Sequence, residues 1–473
     1  MTGCARSPAF WVGSALPVIG AAACAAVPLA GRPGYESALV VAPLAGLGSG
    51  VVAASVVARA RAAGESPNFD ALLLRAFGCA ACGPIAALVV LAVSGAARGF
   101  CDPLDGFGLF AVGPLGAAMA SAGTAIVIAL AVPGRRLPIA AWIGFAAASL
   151  AWDAWLLMST PQVFVFDHFL GWFGGPIWDE AIGLQGRHAW FRGVTLVRLT
   201  TLLSLAHALH DPARLRLDHA RARVRARAWI PAIALAIAMA ATFLAEPALG
   251  LRASEASIRR VLAGETRTEH VVIVHPAAVT GPERRMIAAE AELDWSDLEE
   301  FFGTAPEGPI TIYMFESAGQ MRALVGTGPT SVAKPWLGES VMTWGRPLHP
   351  VMRHEMAHLF SARWGRGPFR TPGKLWGILA DPLLLEGIAV AADWDGDPVD
   401  PDVQAAAVIR AGIVKDPASV GGLGFFGNEG GASYLLAGSF ARHLRGKHGS
   451  EALREWYGGA GFDEAFGEGQ KAA

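Results

Sequence analysis

The sequence predicts an α-helical transmembrane bundle of about seven helices followed by a C-terminal α+β domain. Three observations carry that prediction. Of the 473 residues, 53% are hydrophobic and only 16% are charged, against roughly 25% charged in an ordinary soluble domain. The apolar residues are gathered in runs of roughly 20, the length that crosses a bilayer as a helix. The charges are also divided. Residues 1–251 hold 17 Arg, no Lys and 12 acids, a net of +5, whereas residues 252–473 hold 21 basic and 28 acidic residues, a net of −7. The expected domains are 1–250 in the membrane and 251–473 in water. Neither half is basic enough to imply nucleic acid as a partner. The bilayer itself is the partner that the first half requires.

Seven runs qualify as spans, at about 9–30, 38–58, 72–97, 107–132, 138–158, 193–210 and 229–249. The first has the position of a signal peptide, but the spans that follow make an anchored helix the simpler reading. The sixth is the weakest because it carries Arg198 and His207. Loop charge supports keeping it. Arg6, Arg59, Arg61, Arg75, Arg135, Arg136 and the six arginines of Arg214–Arg227 fall on one side, 12 in all. Arg32, Arg98, Arg187 and Arg192 are the four on the other. The positive-inside rule then puts the N-terminus in the cytoplasm, and seven crossings put residues 251–473 outside it. The expected address is the plasma membrane.

Three features of the apolar half remain. Cys79 and Cys82 form a C-x-x-C inside the run Ala71–Ala97, where small residues packing in a membrane helix account for them better than a redox or metal pair. Asp153 lies between Trp152 and Trp155 of the fifth run, either paired within the bilayer or close to the outer end of its helix. The aromatic loop Thr160–Arg192 suits the membrane–water boundary. It reads either as an interfacial loop packed on the bundle or as a surface that docks or gates the second domain.

The chemistry is concentrated in Val351-Met-Arg-His354-Glu355-Met-Ala-His358-Leu-Phe360. Histidines at i and i+4 stand one turn apart on one helical face, so their imidazoles take two corners of a tetrahedral zinc site. The glutamate beside the first histidine reaches the water that zinc activates. Pro350 suits the first turn of that helix, and Gly365, Gly367 and Pro368 end it. A second helix is signalled by Asp381-Pro382-Leu-Leu-Leu-Glu386-Gly387, with Asp381 as N-cap and Pro382 in the first turn. Glu386 is a lone carboxylate in an apolar stretch, a costly placement that a metal would satisfy.

This arrangement, HExxH followed 28 residues after its second histidine by L-x-E-G-x-A, resembles the gluzincin clan of metallopeptidases, and in particular the peptidase-MA-like relatives of thermolysin and aminopeptidase N. The resemblance covers roughly residues 266–458. It implies a zincin-like domain, one Zn2+ ion held by His354, His358 and Glu386, Glu355 as general base, and a peptide or protein substrate. The surrounding pattern agrees: His270–His275 and Pro309–Phe315 read as strands, Ala288–Phe302 and Ser317–Val325 as helices, and Val341–Trp344 as the edge strand that precedes the zinc helix. Tyr434, in a Y-x-x-x-G-S-F helix, is the candidate for stabilising a tetrahedral oxyanion, as a tyrosine does in the aminopeptidase-N branch; helix packing accounts for it equally well. His443 is nine residues further on, and His270, His275 and His349 lack ligand spacing. Asp393 is a weaker candidate to support a ligand histidine.

Rival readings stand beside this one, among them a membrane-anchored peptidase with a later E-x-x-x-D third-ligand motif, against which the L-x-E-G-x-A context argues. An intramembrane protease carries HExxH within a long apolar span, whereas Arg353, Arg363, Arg366 and Arg370 flank or interrupt this one. A transporter, receptor or signalling module with a regulatory zinc domain fits the first half as well. An intact Glu355 argues against a zinc scaffold without turnover, because binding metal does not require it.

Overall fold

The computed structural model describes residues 7–27, 30–100, 102–175, 182–218, 226–394, 399–428, 430–467 and 469. The chain divides into two units. The first comprises residues 1–157, 164–175 and 181–252, and the second comprises 158–163, 176–180 and 253–473.

The first unit is built from α1 (Pro8–Ala25), α2 (Tyr35–Ala62), α3 (Phe69–Ala80), α4 (Cys82–Arg98), α5 (Pro103–Phe110), α6 (Gly116–Ala131), α7 (Leu137–Ser159), a short hairpin of β1 (Val165–Asp167) and β2 (Gly171–Phe173), α8 (Gly186–Leu209), a second hairpin of β3 (His210–Asp211) and β4 (Arg216–Leu217), and α9 (Ala226–Ala245). The third expected run is therefore two helices joined at Ala81. The fourth is interrupted by a π-helical turn, Ala111–Leu115, where Pro114 withholds an N–H from the helical ladder. Small residues let the helices approach: Ala53, Ala54 and Ala60 of α2 meet Ala122, Ala125 and Ala129 of α6 in one buried cluster.

Among the described residues, five helical stretches are long and apolar enough to cross a membrane: 8–25, 35–62, 69–98, 103–131 and 137–159. The sixth and seventh expected spans do not join that set. Helix α8 has the length, at 24 residues, but carries three arginines; α9 is 20 residues long, and the part of it whose side chains are described, Ile233–Ala245, is apolar. Two arginines of α8 are nevertheless well provided for. Arg192 donates to the carbonyls of Val112, Gly113 and His168. Arg198 pairs with Glu246 at 2.6 Å. Cys82 is a free thiol beside the Gly78 carbonyl. Within the loop 160–192, residues 164–175 pack in the first unit, with Asp167 accepting from Ser149 and from the amides of Phe169 and Leu170. Arg6, Asp179, Glu180, Arg221, Arg223 and Arg225 lie outside the described residues.

The second unit opens with α10 (Glu255–Leu262), capped by Ser254. There follow β5 (Ala263–Arg267), β6 (Val271–Pro276), α11 (Gly281–Phe302), β7 (Ile310–Phe315), α12 (Ala318–Leu324), β8 (Val332–Lys334) and β9 (Glu339–Thr343). The strands form one mixed sheet in the order β5-β6-β7-β9-β8, in which β6, β7 and β9 are parallel. Side chains alternate between the two faces. Val271, Ile273, Ile310, Ile312, Met314 and Met342 face the main core with Trp295, Leu298 and Phe302 of α11. Val272, Val274, Tyr313, Phe315 and Val341 face Ile258 and Leu262 of α10 and Met321 of α12.

One expectation is corrected here. The strand at Val341–Trp344 is β9, and it is not the sheet edge. The antiparallel β8 lies outside it, with Val332 opposite Val341 and Lys334 opposite Glu339. Residues 158–163 join the same region. Lys334 Nζ donates to the carbonyls of Thr160 and Gln162 at 2.8 and 2.5 Å, the Trp336 indole donates to the Met158 carbonyl at 2.9 Å, and Val163 N donates to Val325 O. Burial holds the Lys334 ammonium down at about 7.

The remaining elements are α13 (Met352–Ser361), a hairpin of β10 (Gly373–Lys374) and β11 (Leu379–Ala380), α14 (Pro382–Ala392), α15 (Pro401–Arg410), α16 (Gly430–Tyr457) and α17 (Phe462–Phe466). Helix α16 is broken at Gly449, whose φ of 84° interrupts the helical backbone.

Candidate metal centre

Helix α13 is set in place by its apolar face and by its approach. Met352, Met356 and Phe360 are fully buried in the main core, with Phe360 edge-on to Trp295 at 4.8 Å. Ahead of the helix, both carboxylate oxygens of Glu290, on α11, accept the backbone N–H groups of Leu348 and His349. His349 Nε2 adds a bond to the Thr343 carbonyl, tying the turn to the end of β9. With that side of α13 fixed, positions 354 and 358 share the other side, and their rings stand 4.9 Å apart at 86°. At the helix end, the Ser361 hydroxyl contacts both the His358 carbonyl and the Tyr457 hydroxyl.

Helix α14 starts as expected, with the Asp381 side chain accepting from Leu383 N and Pro382 at its first position. It lies against α16, where Gly438 leaves room for Val390: a Cβ at 438 would stand 2.3 Å from the Val390 side chain. This docking turns Glu386 toward α13. Its Oε2 lies 3.4 Å from His354 Nε2 and 3.4 Å from His358 Nε2. In a tetrahedral site with metal–ligand bonds of about 2.1 Å, neighbouring donors are about 3.4 Å apart. One ligand atom from each of the three residues lies within 4.8 Å of the others. Two imidazole nitrogens and one carboxylate oxygen, with a fourth corner left over, are a donor set that suits zinc. His358 Nδ1 is buried with no hydrogen-bond partner among the described residues, and Nε2 is the nitrogen that faces Glu386.

The electrostatics separate the two carboxylates. Burial pushes Glu355 up to about 7, with Glu386 and Asp393 adding to the shift and His354 opposing it. Burial would raise Glu386 too, but the charges of and hydrogen bonds from His358 and His354 hold it well below the usual carboxylate range. Two carboxylates in one site with opposed shifts is a pattern of functional sites.

The other sequence candidates are placed as follows. Tyr434 stands beside the cluster, its ring 6.3 Å from that of His354 and 5.3 Å from Phe425. Asp393 ends α14 and acts electrostatically on Glu355. His443 lines a different cleft, with Asp402 and Arg442. His270 stacks on Trp295 at 4.6 Å and bonds Glu292, and His275 bonds Thr266 and the Pro276 carbonyl. Glu290 gives no signal in the sequence, because it sits on the polar face of an ordinary amphipathic helix and its partners are 58 and 59 residues away.

Searches against family models, curated proteins and solved structures found no match for this chain.

Proposed function

We propose that the chain is a membrane-anchored zinc-dependent peptidase of gluzincin type, with a zincin-like catalytic domain outside the cytoplasm. The observation that carries the reading is the convergence of His354, His358 and Glu386 on one point, with Glu355 buried in the adjacent position. His354 and His358 would hold the ion from one helix and Glu386 from the next. A zinc ion bound there would act as a Lewis acid on a peptide carbonyl and lower the pKa of water.

The chain's own residues supply the rest. Glu355 takes the proton of the attacking water and passes it to the leaving amine, the work of a general base and then acid. Tyr434 offers a phenol to the carbonyl oxygen as it gains charge. Burial of Glu355 excludes bulk water from competing for that proton. The substrate class is peptide or protein, and a backbone can be held in extended form along a sheet edge, here that of β8, the terminal strand beside β9.

The test uses the full chain in detergent or nanodiscs with a pool of quenched fluorescent peptides. Hydrolysis should stop on chelation and return with zinc. Glu355→Gln should bind one zinc per chain yet turn over about 10²–10⁴-fold more slowly. His358→Ala should lose the metal. A chain that binds zinc and cleaves no peptide would favour a regulatory metal domain serving the bundle.

A further inference from the structure

Between Met356 and Ala380 the chain has no acidic residue and carries Arg363, Arg366, Arg370 and Lys374, although residues 252–473 are net acidic. The β10–β11 hairpin ends this stretch, and its side chains point outward. Leu375, Trp376, Ile378 and Leu379 are 64%, 77%, 55% and 58% exposed. Exposed apolar residues scattered singly are ordinary, but four at one tip are not.

The backbone of the tip adds to the anomaly. Ile378 N–H closes a tight turn on the Leu375 carbonyl. Its central residues, Trp376 and Gly377, have φ of 56° and 80°, and Leu375 is also left-handed at 51°. Asn, Asp or Gly ordinarily fills such positions, since a bulky residue there is strained. A leucine and a tryptophan held in that conformation, in water, satisfy neither local preference nor burial.

We propose that this hairpin is an interfacial membrane anchor, with Trp376, Leu375, Ile378 and Leu379 in the headgroup and upper acyl region of a lipid bilayer and Arg366, Arg370 and Lys374 on anionic headgroups. Tryptophan favours that depth, and basic residues beside an apolar insert add attraction to anionic lipid. The position along the chain agrees. Phe369, at the foot of the hairpin, packs edge-on against Trp336 at 5.2 Å. The Trp336 indole donates to the carbonyl of Met158, the penultimate residue of α7. Met158 is near the end, in sequence, of the apolar stretch Leu137–Ser159, which is long enough to cross a membrane, and it belongs to the same compact unit as the hairpin. The hairpin also leads directly into the metal-site helix: Asp381 N bonds the Pro372 carbonyl across the hairpin base, and Asp381 caps α14. The anchor stands independently of whether the site holds zinc.

The experiment places a genetically encoded environment-sensitive fluorophore at residue 376 of the full chain, reconstituted in phosphatidylcholine vesicles with and without phosphatidylglycerol. A control chain carries it at Leu293, which is exposed on α11. Emission at 376 should be quenched by lipids brominated in the upper acyl chain, and emission at 293 should not. Arg370→Glu or Lys374→Glu should reduce the inserted fraction about fivefold in anionic vesicles. Equal quenching of both positions by a water-soluble quencher, with none by brominated lipid, would overturn the proposal. So would blue-shifted emission at 376 without lipid quenching, because protein rather than lipid would then cover the tip. Indifference to both charge reversals would overturn its electrostatic half.

Discussion

A Cβ built on Gly387 would stand 2.6 Å from the carbonyl oxygen of Ala437, so the helix that carries Glu386 meets α16 backbone against backbone. The obstacle is main chain and cannot rotate away. Gly387→Ala should therefore push α14 off α16, destabilising the second unit by about 1–3 kcal/mol as other overpacked cores are. Because Glu386 is the neighbouring residue, zinc affinity should fall with it. Thermal unfolding and metal content of the purified variant check both; an unaltered melting temperature would show that the two backbones have room to part.

Tyr434 separates the two roles open to it through its hydroxyl. Tyr434→Phe keeps the ring that packs beside His354 and Phe425. If the phenol donates to the developing oxyanion, kcat should fall about 10–10³-fold, with KM and zinc content unchanged. Retained kcat would assign the residue to packing alone.

Asp294, on α11, gives a pH signature. Burial pushes its carboxyl up to about 7, Glu290 adds to the shift and Arg353 opposes it. The unfolded chain titrates near 3.9, so the folded state holds an extra proton between about pH 4 and 7. Stability then falls as pH rises through that window. Asp294→Asn cannot ionise and escapes the loss. It should be more stable than the parent by about 2 kcal/mol at pH 8, with the difference closing toward pH 4. Melting curves across that range check the sign, and a gap that widened on acidification would contradict it.

The orientation proposed for the chain rests on the twelve arginines against four. A reporter active only outside the cytoplasm should work when fused after Ala473. One active only in the cytoplasm should be silent there and active at about Arg221. The reverse pattern would place the metal centre in the cytoplasm.

The parts legible in the sequence are those with a local cause. His354 and His358 share a face because of their spacing, and Asp381-Pro382 announces the helix that brings Glu386. Strands β6 and β7 announce themselves as apolar runs. What was not legible depends on partners distant in the chain. Lys334 looks like a loop residue between Ser331 and Pro335, yet it lies in the three-residue strand that covers β9. Glu290 gives no sign that it holds the turn before α13. The sixth run reads as a poor span because it carries Arg198 and His207, and nothing local announces that Glu246 receives Arg198.

The carbonyls of Thr160 and Gln162 that receive Lys334, and the Gln162 side chain that accepts Ala253 N, make the second unit a discontinuous domain. In gene order, most of the segment 164–252 is nested within it rather than set ahead of it. A truncated chain beginning at residue 252 would remove two carbonyl acceptors from the buried Lys334 side chain, a loss of about 1–3 kcal/mol. For the same reason one proteolytic nick after Arg252 would not shed the second unit, which would stay joined to the chain before it through residues 158–163.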